Sequence, residues 1–264
     1  MLAVFERSVA KPPAELDMSP VWPVPFDRFE AEQLFNAIFP DAVIYNFSNG
    51  SFMAISHCMD NTQHPRSAVV DDIYCLFAGS FNNLGELRRH YGLGRSTTEA
   101  MLVIEAYKVL RDRAPYPPDQ VIKDFSGKFM FVLFDLKNGT IFAARDRDSD
   151  LNFAWGKVLD GSLAFSDDYQ VILDMCGRSS TFFPAGCFYM NTTGLVSFEQ
   201  PLHKVKAIRC TMEELCAPGI VFVVDRWYRR PGNIPRVGSE SNWSDACNTR
   251  EDDIEEPLGF GWGE

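Results

Sequence analysis

Along most of the chain, short runs of apolar residues alternate with glycine-containing turns, and this pattern predicts a protein built largely from β-strands. The clearest run is Ile73–Phe77, whose β-branched and aromatic side chains are typical of a strand covered on both faces. Gly79 follows this run and lets the backbone either turn or approach another group closely. Apolar residues at helical spacing come next, and Gly92 is a stop signal, so a helix is predicted over 84–91.

Asn-Gly pairs mark two hairpins, one around Asn49-Gly50 and one around Asn138-Gly139. The N-terminal run is also apolar, and an ordered strand at a chain end is expected in the middle of a sheet rather than at its edge. The predicted strands are Leu2–Phe5, Val43–Phe47, Ser51–Ser56, Ile73–Phe77, Lys128–Asp135, Thr140–Arg145, Leu151–Gly156, Leu163–Ser166, a strand within Phe183–Met190, Leu195–Phe198 and Ile220–Val224.

Capping signals predict where the helices begin. Asp27 with Glu30 precedes a helix that Pro40 ends, and its apolar face is formed by Leu34, Phe35, Ile38 and Phe39. The segment 96–99, Ser-Thr-Thr-Glu, predicts a capping box for a second helix, with Leu102, Ala106, Val109 and Leu110 on one face. Shorter helices are predicted at Asp119–Phe125 and Tyr169–Met175.

The segment 73–93 resembles the strand and loop of class II glutamine amidotransferases, such as the N-terminal domain of asparagine synthetase. A fuller resemblance is to the plant aluminium-induced or stem-specific proteins with YGL and LRDR motifs. The first motif is present as Tyr91, Gly92 and Leu93, and the second as Leu110, Arg111, Asp112 and Arg113. The resemblance extends from Met1 to about Trp243, and the family name describes an expression pattern rather than an activity.

The resemblance implies the α+β fold of the N-terminal nucleophile hydrolases, a four-layer α/β/β/α sandwich. We therefore expect one class II amidotransferase-like domain over residues 1–243. Residues 244–264 carry a net charge of −6 and few apolar side chains, so we predict a disordered acidic tail.

The amidotransferases carry a nucleophilic cysteine after the initial Met, and its own amine serves as the base. Leu2 stands at that position here, and its side chain has no atom that can attack an amide carbonyl. A bulky second residue also disfavours removal of Met1, which would displace the amine. Both the nucleophile and the base are therefore expected to be absent.

Three more positions of the resembled site have lost their chemistry. Ala54 replaces the arginine that pairs with the substrate carboxylate, and alanine cannot form a bidentate clamp. Ala78 replaces the asparagine that helps to hold the oxyanion, although the adjacent Gly79 is kept. Thr97 replaces the aspartate that binds the substrate ammonium. Arg66 is near in sequence and could replace the clamp, but a surface arginine in a loop is the simpler interpretation.

These losses predict a catalytically inactive amidotransferase-like protein with a binding or regulatory role. Two alternatives remain open: an amidotransferase or hydrolase with a relocated nucleophile such as Cys58 or Cys75, and a scaffold that forms homodimers through a sheet edge. The LRDR residues are interpreted either as a recognition patch or as a charged helix end, where arginine is favourable. The loop 147–150 is interpreted as a solvated turn rather than a cation site.

Composition narrows the function further. The formal net charge of −11 argues against nucleic-acid binding, and no apolar run is long enough to span a membrane. The N-terminus lacks the apolar stretch of a signal peptide, and the seven cysteines have no regular spacing, so reduced thiols in the cytoplasm or nucleus are expected. No cofactor or metal motif is present, and the partner, whether a protein or a small-molecule ligand, stays unidentified.

Overall fold

The computed structural model describes residues 1–16, 27–56, 66–112, 118–148, 151–210 and 219–229. The helices are α1 (Arg28–Ile38), α2 (Leu84–His90), α3 (Glu99–Asp112), α4 (Pro118–Lys123) and α5 (Tyr169–Cys176). The strands are β1 (Leu2–Phe5), β2 (Val43–Asn46), β3 (Phe52–Ile55), β4 (Arg66–Val70), β5 (Ile73–Phe81), β6 (Gly127–Asp135), β7 (Thr140–Arg145), β8 (Ala154–Lys157), β9 (Leu163–Ser166), β10 (Ser180–Phe182), β11 (Cys187–Met190), β12 (Gly194–Ser197), β13 (His203–Cys210) and β14 (Gly219–Arg229).

Two six-stranded antiparallel sheets form the centre of the fold. The first has the order β10-β8-β9-β1-β3-β2, and the second β12-β11-β7-β6-β5-β4. β1 pairs with β9 on one side and β3 on the other, so the predicted central position of the N-terminal strand is confirmed. The remaining strands, β13 and β14, form a hairpin beside β12 and β10.

Three apolar cores separate four layers of structure. The first lies between the sheets and contains Phe5 from β1 and Phe134 from β6, whose rings are 5.2 Å apart. The second lies between the second sheet and helices α2, α3 and α4, and the third between the first sheet and helices α1 and α5. The predicted α+β four-layer α/β/β/α sandwich is therefore confirmed.

Alternation along β1 shows how the strand residues serve two cores at once. Ala3 and Phe5 point into the inter-sheet core, whereas Leu2 and Val4 point toward α1 and α5. Successive side chains of a strand face opposite sides of a sheet, so a strand buried on both faces must be apolar throughout. This accounts for the unbroken apolar run at 2–5.

Two hairpins and the start of helix α1 lie where the local sequence predicted them. The strands around Asn49-Gly50 and Asn138-Gly139 pair as predicted, and Gly50 and Gly139 both have positive φ. At α1 the Asp27 side chain accepts from the Glu30 N–H (2.8 Å), and the Glu30 side chain accepts from the Asp27 N–H (2.9 Å). This capping box is confirmed, but Ile38 is largely exposed and does not belong to the buried face of α1.

Other boundaries differ from the sequence predictions. β5 continues through Gly79 to Phe81, because Gly79 pairs with Phe129 of β6 and pairing is not interrupted there. The chain turns instead at Asn82 and Asn83. Strands β4, β10 and β13 were not predicted.

No helix in the described ranges is long and apolar enough to cross a bilayer. The predicted domain boundary after Trp243 and the predicted tail over 244–264 lie outside the described residues and remain predictions.

Candidate functional site

Leu2 and Ala54 are direct neighbours in the first sheet. Their Cα atoms are cross-strand partners in the antiparallel pairing of β1 with β3. Both side chains are completely buried in the apolar core beneath α1 and α5. The structure thus brings together the positions that the resemblance assigns to the nucleophile and to the carboxylate clamp, and surrounds both with hydrocarbon.

The α-amino group of Met1 is also engaged by another residue. It forms an ion pair with the Asp167 carboxylate, while the Ser166 hydroxyl donates to the Met1 carbonyl (2.8 Å). The amine and the carbonyl of Met1 are therefore both held by residues at the end of β9.

Ala78 and Gly79 lie in the second sheet. The Ala78 side chain is buried in the inter-sheet core, on a different face from the core that holds Leu2 and Ala54. Gly79 has φ +106°, and a Cβ there would lie 2.1 Å from the Lys128 carbonyl oxygen. The glycine is therefore required for close pairing of β5 with β6, which confirms the predicted close approach.

Thr97 precedes α3 and is mostly buried. Its carbonyl oxygen accepts from Nε (2.9 Å) and Nη2 (2.5 Å) of Arg88, which ties the start of α3 to α2. The helix begins at Glu99, and the Thr98 hydroxyl accepts from the Met101 N–H (3.4 Å). The predicted capping box from Ser96 to Glu99 is therefore wrong.

Glu99 is used elsewhere, because its buried carboxylate accepts from Nη1 of Arg66 at 2.5 Å. Arg66 lies in strand β4 and not in a surface loop, which corrects the simpler interpretation of this residue. Its guanidinium links β4 to α3. Arg66 is accordingly a structural ion-pair partner here, with its charge already matched by Glu99.

Three cysteines whose side chains the structure describes are poor candidates for a relocated nucleophile. Cys75, Cys176 and Cys187 are buried and reduced, and burial raises the pKa of each thiol, to about 12 for Cys187. A thiol with a raised pKa is almost entirely protonated at neutral pH and is therefore inert. Cys58, the other predicted alternative, lies outside the described residues.

The YGL motif ends helix α2. Gly92 has φ +67°, its N–H donates to the Arg89 carbonyl (3.2 Å), and the Leu93 N–H donates to the Arg88 carbonyl (2.7 Å). These two hydrogen bonds form a Schellman motif, in which Tyr91 is the C-cap of α2. Tyr91 and Leu93 also pack against the apolar core beneath α2 and α3, so the motif acts as a helix stop with an apolar anchor.

The LRDR motif ends helix α3 and reaches the second sheet. Leu110 packs in the core, and Nη1 of Arg111 lies 3.3 Å from the fully buried Asp135 carboxylate. Asp135 also accepts from the Tyr107 hydroxyl (3.1 Å), and Arg111 pairs with Asp112 (2.8 Å). For Arg111 the structure supports a role in holding the helix end, whereas Arg113 lies outside the described residues.

An open groove of about 660 Å³ lies at one end of the second sheet. Arg147 pairs with two other residues of the groove, Glu199 (3.2 Å) and Asp148 (3.5 Å). Lys123 pairs with Asp119 of α4, which lies outside the groove lining (3.2 Å). The buried Asp146 carboxylate accepts from two backbone N–H groups and orders the turn after β7. Within the described ranges, no three His, Cys, Asp or Glu residues are grouped closely enough to hold a metal ion.

The chain is similar in sequence to several known proteins. A family model described as "Aluminium induced protein" matches residues 2–224. "Stem-specific protein TSJT1" of Nicotiana tabacum is 52% identical over 149 residues, which are 55% of this chain and all of that protein. Asparagine synthetase of Zea mays is 34% identical over 85 residues, which are 31% of this chain and 14% of the synthetase.

The chain also aligns with solved structures, at lower sequence identity. A glutamine phosphoribosylpyrophosphate amidotransferase from B. subtilis aligns with 80% of this chain and 51% of its own, at a TM-score of 0.46 and 10% identity. A class-II glutamine aminotransferase domain protein from Silicibacter pomeroyi aligns with 74% of this chain, at a TM-score of 0.36 and 12% identity. The chain thus spans about half the length of the first of these proteins.

The family model covers nearly all the described residues, and TSJT1 is matched along its whole length. The chain therefore belongs to the aluminium-induced protein family.

Proposed function

We propose that this protein has kept an amidotransferase-like scaffold but does not hydrolyse glutamine, and that it acts by binding. The observation that carries the proposal is the environment of Leu2. A fully buried hydrocarbon occupies the position that the resemblance assigns to the nucleophile. Amide hydrolysis by this class of site needs a nucleophile within hydrogen-bond reach of a base, and neither group is present at Leu2.

The substrate-binding positions support the same proposal. A clamp for the α-carboxylate requires a cation, and Ala54 lies in an apolar core instead. Arg66, the candidate cation that is near in sequence, lies in the other sheet and is paired with Glu99. An ammonium-binding position requires an anion, and the Thr97 side chain carries no charge; its carbonyl oxygen accepts from Arg88.

A glutaminase assay tests the proposal directly. Purified protein is incubated with glutamine and the released ammonia is measured, with an active asparagine synthetase as positive control. We expect no ammonia above the rate of a heat-inactivated sample. Turnover that disappears in a Cys58→Ser or Cys75→Ser variant, with folding verified by circular dichroism, would establish the relocated nucleophile and refute the proposal.

A Leu2→Cys variant tests whether the missing thiol is the sole defect. We expect this variant to stay inactive, because Ala54 and Thr97 still lack the charges that would hold glutamine. Glutamine turnover by Leu2→Cys alone would show that the substrate site is intact and would contradict a purely binding role.

A further inference from the structure

Arg28, the first residue of α1, has an unmet hydrogen-bonding requirement. Its Nη1 atom is buried and has no hydrogen-bond partner within the part of the chain that the structure describes. A guanidinium remains charged at physiological pH and presents five donors. Leaving a buried donor unsatisfied costs about 1–3 kcal/mol, so native proteins normally supply an acceptor.

The guanidinium lines a small pocket of about 270 Å³ between α1 and the β2–β3 hairpin. Its planar group lies against Gly50, where a Cβ would come within 2.8 Å of Nη2 and 2.9 Å of Nη1. Gly50 therefore provides the space that the guanidinium occupies. The conformation of this turn (φ +80°) and the placement of Arg28 depend on the same glycine.

The carboxylates around Arg28 have other partners. Glu6 accepts from the backbone N–H and the hydroxyl of Ser8, and Glu32, on the wall of the pocket, accepts from the Asn46 side chain (3.0 Å). They lower the electrostatic cost of the buried cation but do not supply the missing acceptor. Within the described ranges, no residue therefore supplies the acceptor that Nη1 of Arg28 lacks.

The rest of the pocket is suited to an apolar group. Phe29 is 67% exposed at the rim, although a phenylalanine gains free energy when it is covered, and the mostly buried Phe47 also lines the pocket. The Ser51 hydroxyl accepts from the Glu6 N–H (3.0 Å), and a hydroxyl that accepts one bond still has a proton to donate. The pocket thus combines a guanidinium that has an unpaired Nη1 donor, a hydroxyl and two aromatic rings.

We propose that this pocket binds a small carboxylic acid with an apolar or aromatic body. The carboxylate accepts from the Arg28 guanidinium, whose planar fork matches the two oxygens, and the body packs against Phe29 and Phe47. The inference does not depend on the proposed function, because no residue that lines the pocket belongs to the core that contains Leu2.

Binding of benzoate to the full chain tests the proposal. The binding is measured by changes in amide NMR shifts or by calorimetry. Benzamide is the uncharged comparator, and inorganic phosphate is the anion without an apolar body. Arg28→Gln removes the cation while keeping a polar side chain at a helix surface, where folding is expected to be preserved. Arg178→Gln, an exposed arginine outside the pocket, is the matched control.

We expect benzoate to bind wild type and Arg178→Gln alike, and Arg28→Gln roughly tenfold or more weakly, the effect of about 1.4 kcal/mol. Phe29→Ala should weaken benzoate binding while leaving any phosphate binding unchanged. The proposal is overturned if benzoate does not bind wild type, if benzamide binds equally well, if phosphate competes with equal affinity, or if Arg28→Gln binds benzoate as wild type does.

Discussion

Asp71 and Asp72 form the two-residue turn between β4 and β5, and both have left-handed backbone conformations, with φ 52° and 62°. A turn of this type matches the twist of a hairpin, but it favours Asn-Gly, because both of these residues tolerate positive φ better than most others. The Asp71 carboxylate gains an ion pair with Lys108 of α3 (2.7 Å), which offsets part of the conformational cost. Asp72 contributes its carbonyl, which accepts from the Leu136 N–H (3.0 Å).

Replacing Asp72 with glycine should therefore stabilise the protein. Glycine adopts φ near 60° without a steric penalty and keeps the backbone carbonyl, so we expect a gain of about 0.5–1 kcal/mol in the free energy of unfolding. Urea denaturation, monitored by circular dichroism, measures this gain in the free energy of unfolding. Asp71→Gly is the matched comparison and should gain less, because it also removes the ion pair with Lys108. A loss of stability in Asp72→Gly would contradict the strain argument.

At the same scale, Gly79 shows how far local reasoning extends. The sequence predicted that this glycine allows either a turn or a close approach, and the structure selects the approach to the Lys128 carbonyl. The alternatives could not be separated in advance, because the partner lies in β6, far along the chain.

At the scale of elements, two glycines with opposite roles lie in helix α2 and just after it. Gly92 lies at the left-handed position of the Schellman motif, whereas Gly85 is inside the helix, and a Cβ at either position would meet no atom within 4 Å. A substitution at either site therefore changes backbone preference without creating a clash. The pair separates the role of the YGL glycine from packing effects.

Gly92→Ala should destabilise the protein by about 1 kcal/mol, because alanine is disfavoured at φ +67°. Gly85→Ala should stabilise it by about 0.5–1 kcal/mol, because glycine weakens a helix interior. Thermal and urea denaturation of both variants measure the effects. Equal effects of the two substitutions would show that the YGL glycine is not kept for its conformation.

Contacts between elements that are distant in sequence were harder to predict than features completed within one element. The capping box of α1 and the Asn-Gly hairpins were predictable because each is completed within a few residues. The start of α3 was not, because Glu99 is used by Arg66, 33 residues away along the chain, and not by its own helix cap. Strand β13 was missed, although its alternation of exposed Lys204 and Lys206 with buried Val205 is a strand pattern.

At the scale of the whole molecule, the α3 layer is held to the second sheet by a buried carboxylate. Burial by itself would raise the pKa of Asp135, but hydrogen bonds from Asn138, Tyr107 and Arg111 outweigh it and hold the pKa below its ordinary value. An acid with a depressed pKa in the folded state stabilises the fold above its unfolded pKa, and this contribution is lost as the pH falls through the folded pKa.

The free energy of unfolding should therefore decrease as the pH falls below about 4, the ordinary range of an aspartate. Arg111→Met should lower stability at pH 7 by about 1–3 kcal/mol and should reduce the further decrease at acid pH, because one group that favours the charged form is removed. Urea denaturation between pH 7 and pH 3 measures both effects.

Lys123→Met is the matched control, because it removes an ion pair with Asp119 at the surface. It should change stability by less than about 1 kcal/mol at pH 7. If Arg111→Met behaves like this control at both pH values, the LRDR arginine does not anchor α3, and the recognition patch becomes the better interpretation.

The candidate site was predictable in its chemistry but only partly in its geometry. The absence of a thiol or a charge at positions 2, 54, 78 and 97 is a property of the sequence. The direct pairing of Leu2 with Ala54, and the separation of Ala78 into another core, are consequences of sheet topology. The Arg28 pocket was not anticipated, because Gly50 and Arg28 are far apart in sequence and no local motif joins them.

By itself, the sequence determined the continuous apolar runs, the hairpin turns, the first helix cap and the chemical types available at each position. These follow from backbone sterics and side-chain chemistry within a few residues. Only the tertiary structure decided which strands are neighbours, which face of a sheet each side chain takes, and which charges are matched. Those outcomes depend on residues that are distant in sequence, because burial and pairing are settled when the layers pack together.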